Sequence, residues 1–280
     1  MIYKELVNWL MLAEYKKITN KKKIELLGTY QNINKICSIL KLKQEKKINT
    51  YIKYMQEKNI QVISYYDEDY PQQLKNLYDA PIVIYAIGNY KILNDQNKIA
   101  VIGARKASNY GINIARQIGK FLSKNNIHTI SGLALGIDVN SHIGVLTENY
   151  INSYSGKAIA VIGNGLDNIY PYNNQEIANR IINNGGCIIS EYIVGTKPLR
   201  NNFPARNRII SALSDKLVVV EAENEKSGTM ITVDFSLELG KEIYVVPGNI
   251  NNKMSVGTNR LIKDGAKIIT EFNDIIDEDY

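Results

Sequence analysis

The chain has few of the residues that usually mark a metal or redox site. Among its 280 residues are two cysteines, two histidines and one tryptophan. Cys37 and Cys187 fall in no metal-ligand spacing, so each reads as a buried, inert thiol. No apolar run approaches the roughly 18 residues that a membrane span requires. Met1–Leu12 has no basic stretch leading to a small-residue cleavage site, so no secretion signal is expected. The expected compartment is the cytoplasm, with no membrane partner.

What is present is an ordinary soluble balance, 45% hydrophobic and 22% charged, in a length that allows one sizeable core plus a smaller domain. The net charge of +6 is unevenly spread. Residues 1–97 carry +5, residues 98–270 carry +6 and residues 271–280 carry −5. Lysine clusters such as Lys21–Lys23 and Lys46–Lys47 read first as solvated helix faces. Charge thus permits a nucleic-acid partner without demanding one.

Residues 1–60 read as a small helical domain. Leu6, Trp9, Leu10 and Ala13 share one helical stripe, and Ile33, Ile36, Cys37 and Leu40 share another. Residues 61–97 read as a connector with short strands near Val62–Tyr65 and Ile82–Ile87. From Lys98 to Thr270 β-branched runs alternate with amphipathic helices, the pattern of a parallel sheet covered on both faces. The expected class is α/β, and residues 271–280 read as an acidic tail. Such sheets take ligands at the carboxyl ends of their strands.

Three Gly-punctuated loops fall at that edge, in Ile99–Arg105, Ile130–Asp138 and Leu217–Thr232. Neither Gly103-Ala104-Arg105 nor Gly163-Asn164-Gly165 completes G-x-G-x-x-G, so no dinucleotide cofactor is expected. Arg105 directly follows strand and glycine, where its forked donors suit a phosphate. Ser131–Asp138, with Gly132 and Gly136, is either an anion nest or a tight turn packing helix on strand. Asp138 and His142 share a helical face, but a helix-dipole carboxylate and a structural histidine explain them better than catalysis. Glu191 and Glu221 end strands with no nucleophile or metal site between them.

Phe203-Pro204-Ala205-Arg206-Asn207-Arg208 is the strongest local signal. The proline is expected to hold Phe203 extended, ready to stack a base, with Arg206 and Arg208 flanking the helix start. Lys226-Ser227-Gly228-Thr229 enters another helix and offers an ammonium, two hydroxyls and free N–H groups, a phosphate cradle distinct from the P-loop.

These stretches resemble the bacterial DNA-processing protein A (DprA/Smf) family. Val101–Arg105, Ser131–Asp138, His142, Phe203–Ser211, Ser227–Thr229 and Pro247-Gly248 follow its pattern, as do Asp69-Tyr70-Pro71 and Pro81. The resemblance spans about residues 60–270. It implies an extended Rossmann-like domain behind a SAM-like helical domain. It further implies binding and protection of incoming single-stranded DNA, loading of the RecA recombinase and action as a homodimer. Residues implied in DNA binding are Arg105, Phe203, Arg206 and Arg208. Lys226, Ser227, Gly228 and Thr229, with Gly103, Gly132 and Gly136, complete the expected site. The dimer and RecA surfaces are expected between Met230 and Ile269. Many members carry a C-terminal winged helix, which is not expected in the residues that follow Thr270 here.

The reading is therefore a non-enzymatic mediator of DNA processing and transformation, without cofactor or metal. The rival is a nucleotide-cleaving or nucleotide-sensing Rossmann-like protein of the Lonely guy type. That type uses P-G-G-x-G-T-x-x-E, and Thr232 stands here where its carboxylate would be needed.

Overall fold

The computed structural model describes residues 3–43, 46–224 and 227–276. Four helices lead: α1 (Tyr3–Glu14), α2 (Asn20–Tyr30), α3 (Ile33–Ile39) and α4 (Lys46–Glu57). Side-chain oxygens of Thr19 and Asn32 cap α2 and α3 by accepting from the Lys22 and Lys35 amides. Two strands follow, β1 (Gln61–Ser64) and β2 (Val83–Gly88).

Strand and helix then alternate: β3 (Lys98–Ile102), α5 (Asn109–Lys124), β4 (His128–Ser131), α6 (Ile137–Ile151) and β5 (Ala158–Ile162). The series continues with α7 (Gln175–Asn183), β6 (Cys187–Ser190), α8 (Asn202–Leu213) and β7 (Lys216–Val219). It ends with α9 (Gly228–Glu238), β8 (Glu242–Val245), α10 (Val256–Lys263) and β9 (Lys267–Ile268).

One nine-stranded sheet results, in the order β1-β2-β6-β5-β4-β3-β7-β8-β9. β6 through β9 in that order pair in parallel, while β1–β2 and β2–β6 pair antiparallel. Every residue of β3, β4, β5 and β6 is buried; β5 and most of β3 and β6 are apolar for that reason, whereas β4 buries His128, Thr129 and Ser131 as well as Ile130. The expected α/β class holds. The connector strands, however, are part of the same sheet and extend it by two strands. Trp9, Leu10 and Ile52 of the leading helices share a core with Val83, Tyr85 and Ile188.

The acidic C-terminal stretch begins with structure. Ile275 is buried in the core beneath α5, and Phe272 packs on Phe121 with ring centroids 5.7 Å apart. Residues 277–280 lie outside the described residues.

Two features place the loops that matter. After β6 the chain crosses back to lay β7 on the far side of β3, so the loops after β3 and β7 diverge and open a crevice. Beside it α5 and α6 pack backbone to backbone. A Cβ on Gly119 would collide with the Ser141 carbonyl, and one on Gly144 with that of Arg116. The Arg116 Nε also donates to Asn140 Oδ1 at 2.7 Å, fastening the same two helices.

Candidate nucleic-acid interface

The crevice is a trough of about 570 Å³ at the carboxyl edge of the sheet. The β3 loop supplies Gly103, Arg105 and Lys106, and α8 supplies Phe203, Arg206 and Asn207. The other wall is Ser227, Gly228 and Thr229 at the start of α9. These come from distant parts of the chain, as the carboxyl-edge argument expects. Lys226 lies outside the described residues.

Arg105 is exposed, and its guanidinium lies over the Phe203 ring, 5.4 Å from the centroid. Tyr170, from the loop after β5, packs on the same ring at 5.7 Å and remains 47% exposed. Tyr170 and the exposed Arg200 both line the trough, and neither was singled out from the sequence. Their available signals were an aromatic pair, Tyr170-Pro171-Tyr172, in a loop at the ligand edge and a cation three residues before Phe203.

The expected extended Phe203 is not found: helix α8 begins at Asn202 and contains both Phe203 and Pro204. Proline fits a helix's first turn because the amide it lacks would have had no intrahelical partner there. That helicity also separates the two arginines. Residues two apart on a helix point about 200° apart, so Arg206 and Arg208 cannot face one groove.

Arg206 lies in the trough wall but is only 4% exposed. Its Nη1 donates to the Gly132 carbonyl at 2.7 Å and also to that of Val161, and its Nε donates to Asn207 Oδ1 at 3.1 Å. Burial, reinforced by Arg105 and opposed by Asp138, brings its guanidinium down to about 10. The Gly132–Gly136 loop is therefore occupied by protein. A Cβ at Gly132 would meet Arg206 Nη2 and Asp138 Oδ2. Gly136, at φ +79°, lets the loop close on the Ala104 and Arg105 carbonyls. Of the two readings left open for this segment, the tight turn is the one the structure matches.

Arg208 departs from the expected phosphate contact. It points away from the trough, where its Nη1 and Nη2 bind the Glu191 carboxylate at 3.1 and 2.7 Å. Its Nε meets Asp79 at 3.0 Å. Burial pushes Glu191 upward, while Arg208 opposes that shift. The buried Lys23 ammonium donates to the Ala13 carbonyl at 2.7 Å and adds a further positive field to Glu191.

Glu221, the other strand-end acid, accepts from the Ser108 amide at 2.9 Å and from the Ser108 hydroxyl, fixing the start of α5. Asp138 is buried beside Arg206, and burial pushes its carboxyl upward. His142 is fully buried and neither ring nitrogen has a hydrogen-bond partner among the described residues. Burial, reinforced by Arg206, holds its imidazole down at about 3.

At the other wall, Ser227 is the N-cap of α9, but its side chain makes no capping bond and its Oγ has no partner among the described residues. Asn207 Nδ2 reaches the Gly228 carbonyl at 3.4 Å, tying α8 to this helix start. Glu223, the acid on this side, is paired with Lys253. The trough thus offers Arg105, Lys106 and Arg200 as exposed cations, one helix N-terminus and an aromatic pair. Such a surface can neutralise a phosphate backbone and stack a base without reading its edges.

Cys37 and Cys187 are both buried and unpaired. Among the described residues no group of His, Cys, Asp and Glu could hold a metal, and no helix is long and apolar enough to cross a membrane.

Residues 61–279 match the family described as DNA recombination-mediator protein A. DNA processing protein DprA of Streptococcus pneumoniae is 38% identical over 212 residues, covering 76% of this chain and 72% of that protein. An X-ray structure of DprA from Streptococcus pneumoniae superposes with a TM-score of 0.79 at 30% identity, covering 96% of each chain. A second solved structure concerns the single-stranded DNA binding mode of DNA processing protein A from Helicobacter pylori. It gives a TM-score of 0.68 at 31% identity over 78% of this chain and 94% of that one.

Proposed function

The chain belongs to the DNA recombination-mediator protein A family, and from that premise we propose that it holds single-stranded DNA along the carboxyl-edge trough without cleaving it. The observation that carries this reading is the convergence of Arg105, Phe203, Tyr170 and the start of α9 on one trough. Arg105, Lys106 and Arg200 neutralise phosphates, amides at Ser227–Thr229 hold another, and bases lie on the exposed part of Tyr170 beside Phe203. Arg206 braces the trough and lends it a positive field. Gly103 and Gly136 let the loops approach closely. Sequence preference is slight because π-faces are common to all bases. The mediator role then extends to loading RecA, and the working form is a homodimer.

The test is fluorescence anisotropy with a single-stranded oligonucleotide across a salt series. With about three or four phosphates neutralised, log affinity should fall against log salt with slope about −2 to −3. A flat salt dependence, or equal affinity in Arg105→Glu with Arg200→Glu, would overturn the reading. RecA filament assembly on strands precoated with binding protein reads the mediator step, and sedimentation equilibrium reads the dimer. Release of free base from nucleotides, lost on Thr229→Ala, would instead favour the Lonely guy type of chemistry.

A further inference from the structure

The leading helices carry a second basic surface apart from the trough. The turns after α1 and α3 and the first residues of α4 enclose a cleft of about 400 Å³. Five ammonium groups line it, from Lys16, Lys17, Lys41, Lys43 and Lys47, against one carboxylate, Glu14. Lys16, Lys17, Lys41 and Lys43 are exposed and make no ion pair among the described residues. Hydrophobic packing does not explain their gathering, since each is at the surface.

Helix α4 connects this cleft to the sheet edge. Lys47, Tyr51 and Tyr54 follow i, i+4, i+7 spacing and share one face, while Ile48, Ile52 and Met55 are buried. The Tyr51 hydroxyl lies against Gly195, about 3.4 Å from where a Cβ on that residue would stand. The Tyr54 phenol feels the charge of Asp167, which accepts from the Gly195 amide at 2.8 Å. Gly195 and Asp167 belong to the loops after β6 and β5, the loops that also supply Arg200 and Tyr170. The helix, about 18 Å long at 1.5 Å per residue, thus runs between that edge and the lysines.

We infer that the lysine cleft is a second binding site for the phosphates of single-stranded nucleic acid, reached along the Lys47–Tyr51–Tyr54 face of α4 by a strand already seated in the trough. This rests on the single-strand reading of the trough. Half-buried rings leading to a cluster of cations are what an unpaired strand uses, whereas a rigid duplex could not follow the path from edge to cleft.

The experiment compares oligothymidylates of about 8 and about 30 nucleotides, the first short enough to fill one groove only. Each is titrated into the full chain and into a Lys16→Glu, Lys17→Glu, Lys41→Glu, Lys43→Glu variant. A Lys→Gln version of the same four positions guards against misfolding from charge reversal, and thermal melting confirms that both variants fold.

The variants should bind the short strand as the unaltered chain does. They should bind the long strand about tenfold more weakly, with a salt slope shallower by about 2–3. Long-strand affinity and slope equal to those of the unaltered chain would overturn the cleft and leave the trough standing. Failure of the unaltered chain to bind either strand would overturn both. Lysine acetylation footprinting adds a direct readout: Lys16 and Lys41 should be protected by the long strand and not by the short one. Equal protection by both, or by neither, counts against the path.

Discussion

Arg208→Met separates stability from DNA contact more cleanly than any other single change. The Arg208 side chain is 7% exposed and its guanidinium is bound by two carboxylates, Glu191 on two nitrogens and Asp79 on a third. Removing one member of a buried pair strands the other, at a cost of about 3–5 kcal/mol. Glu191 would be that stranded charge, with Lys23 its remaining positive neighbour. At about 2–4 °C per kcal/mol for a chain of this size, the melting temperature should fall by about 10 °C.

Affinity for single-stranded DNA below the melt should not change, because Arg208 does not line the trough. Replacing both partners, Arg208→Met with Glu191→Met, should recover much of the loss, since Asp79 is 37% exposed at its side chain and can be solvated. Scanning calorimetry and anisotropy on the same preparations decide the matter. An unshifted melting temperature with weakened binding and a salt slope shallower by about 0.7 would refute the assignment of Arg208 as a strut.

Tyr170→Leu should keep the melting temperature and weaken oligonucleotide binding by about 1–3 kcal/mol, read by anisotropy, since it removes an exposed stacking face. Arg105→Ala should make the salt slope shallower by about 0.7 with little effect on stability. His142 gives a pH signature. Its folded value lies near 3 against an ordinary 6.5, so the unfolded chain takes up the proton first and stability is lost as pH falls from about 6.5 toward 3. The full span is worth about 5 kcal/mol, and urea midpoints for His142→Leu should lack that part of the acid slope. Lys23, brought down to about 8 by burial, works in the alkaline range: stability should rise between about pH 8 and 10.5, and Lys23→Met should flatten the rise.

The parallel sheet was legible because strands buried on both faces need apolar residues on both, and Ile99–Ile102 of β3 and Ala158–Ile162 of β5 supply such runs. Gly-rich turns at strand ends pointed to the carboxyl edge, where the trough lies. Arg206 and Arg208 look equivalent in sequence. Their separation depends on α8 starting one turn earlier than Pro204 suggests, and on Asp79 and Glu191, which only the fold brings near. Tyr170 was missed because its value lies in meeting Phe203, from a loop more than thirty positions away. The Gly132 loop stayed open between an anion nest and a tight turn because the guanidinium from α8 that bonds to it is invisible in local sequence. The connector strands were found individually, but their pairing to β6 is a long-range choice that no local pattern encodes.

The interlocked glycines of α5 and α6 bear on how the proposed site would take up a strand. Those helices begin just after the segments that carry Arg105 and Gly136, and the Ile137 amide donates to the Ala104 carbonyl at 3.2 Å. With the helix backbones in direct contact, neither segment can slide without displacing the other. That wall of the trough is in place before any nucleotide arrives, so little ordering entropy is lost on that side at binding. On the proposed reading, a flexible polymer would then conform to a fixed rim, and the adjustment on encounter would fall to the DNA.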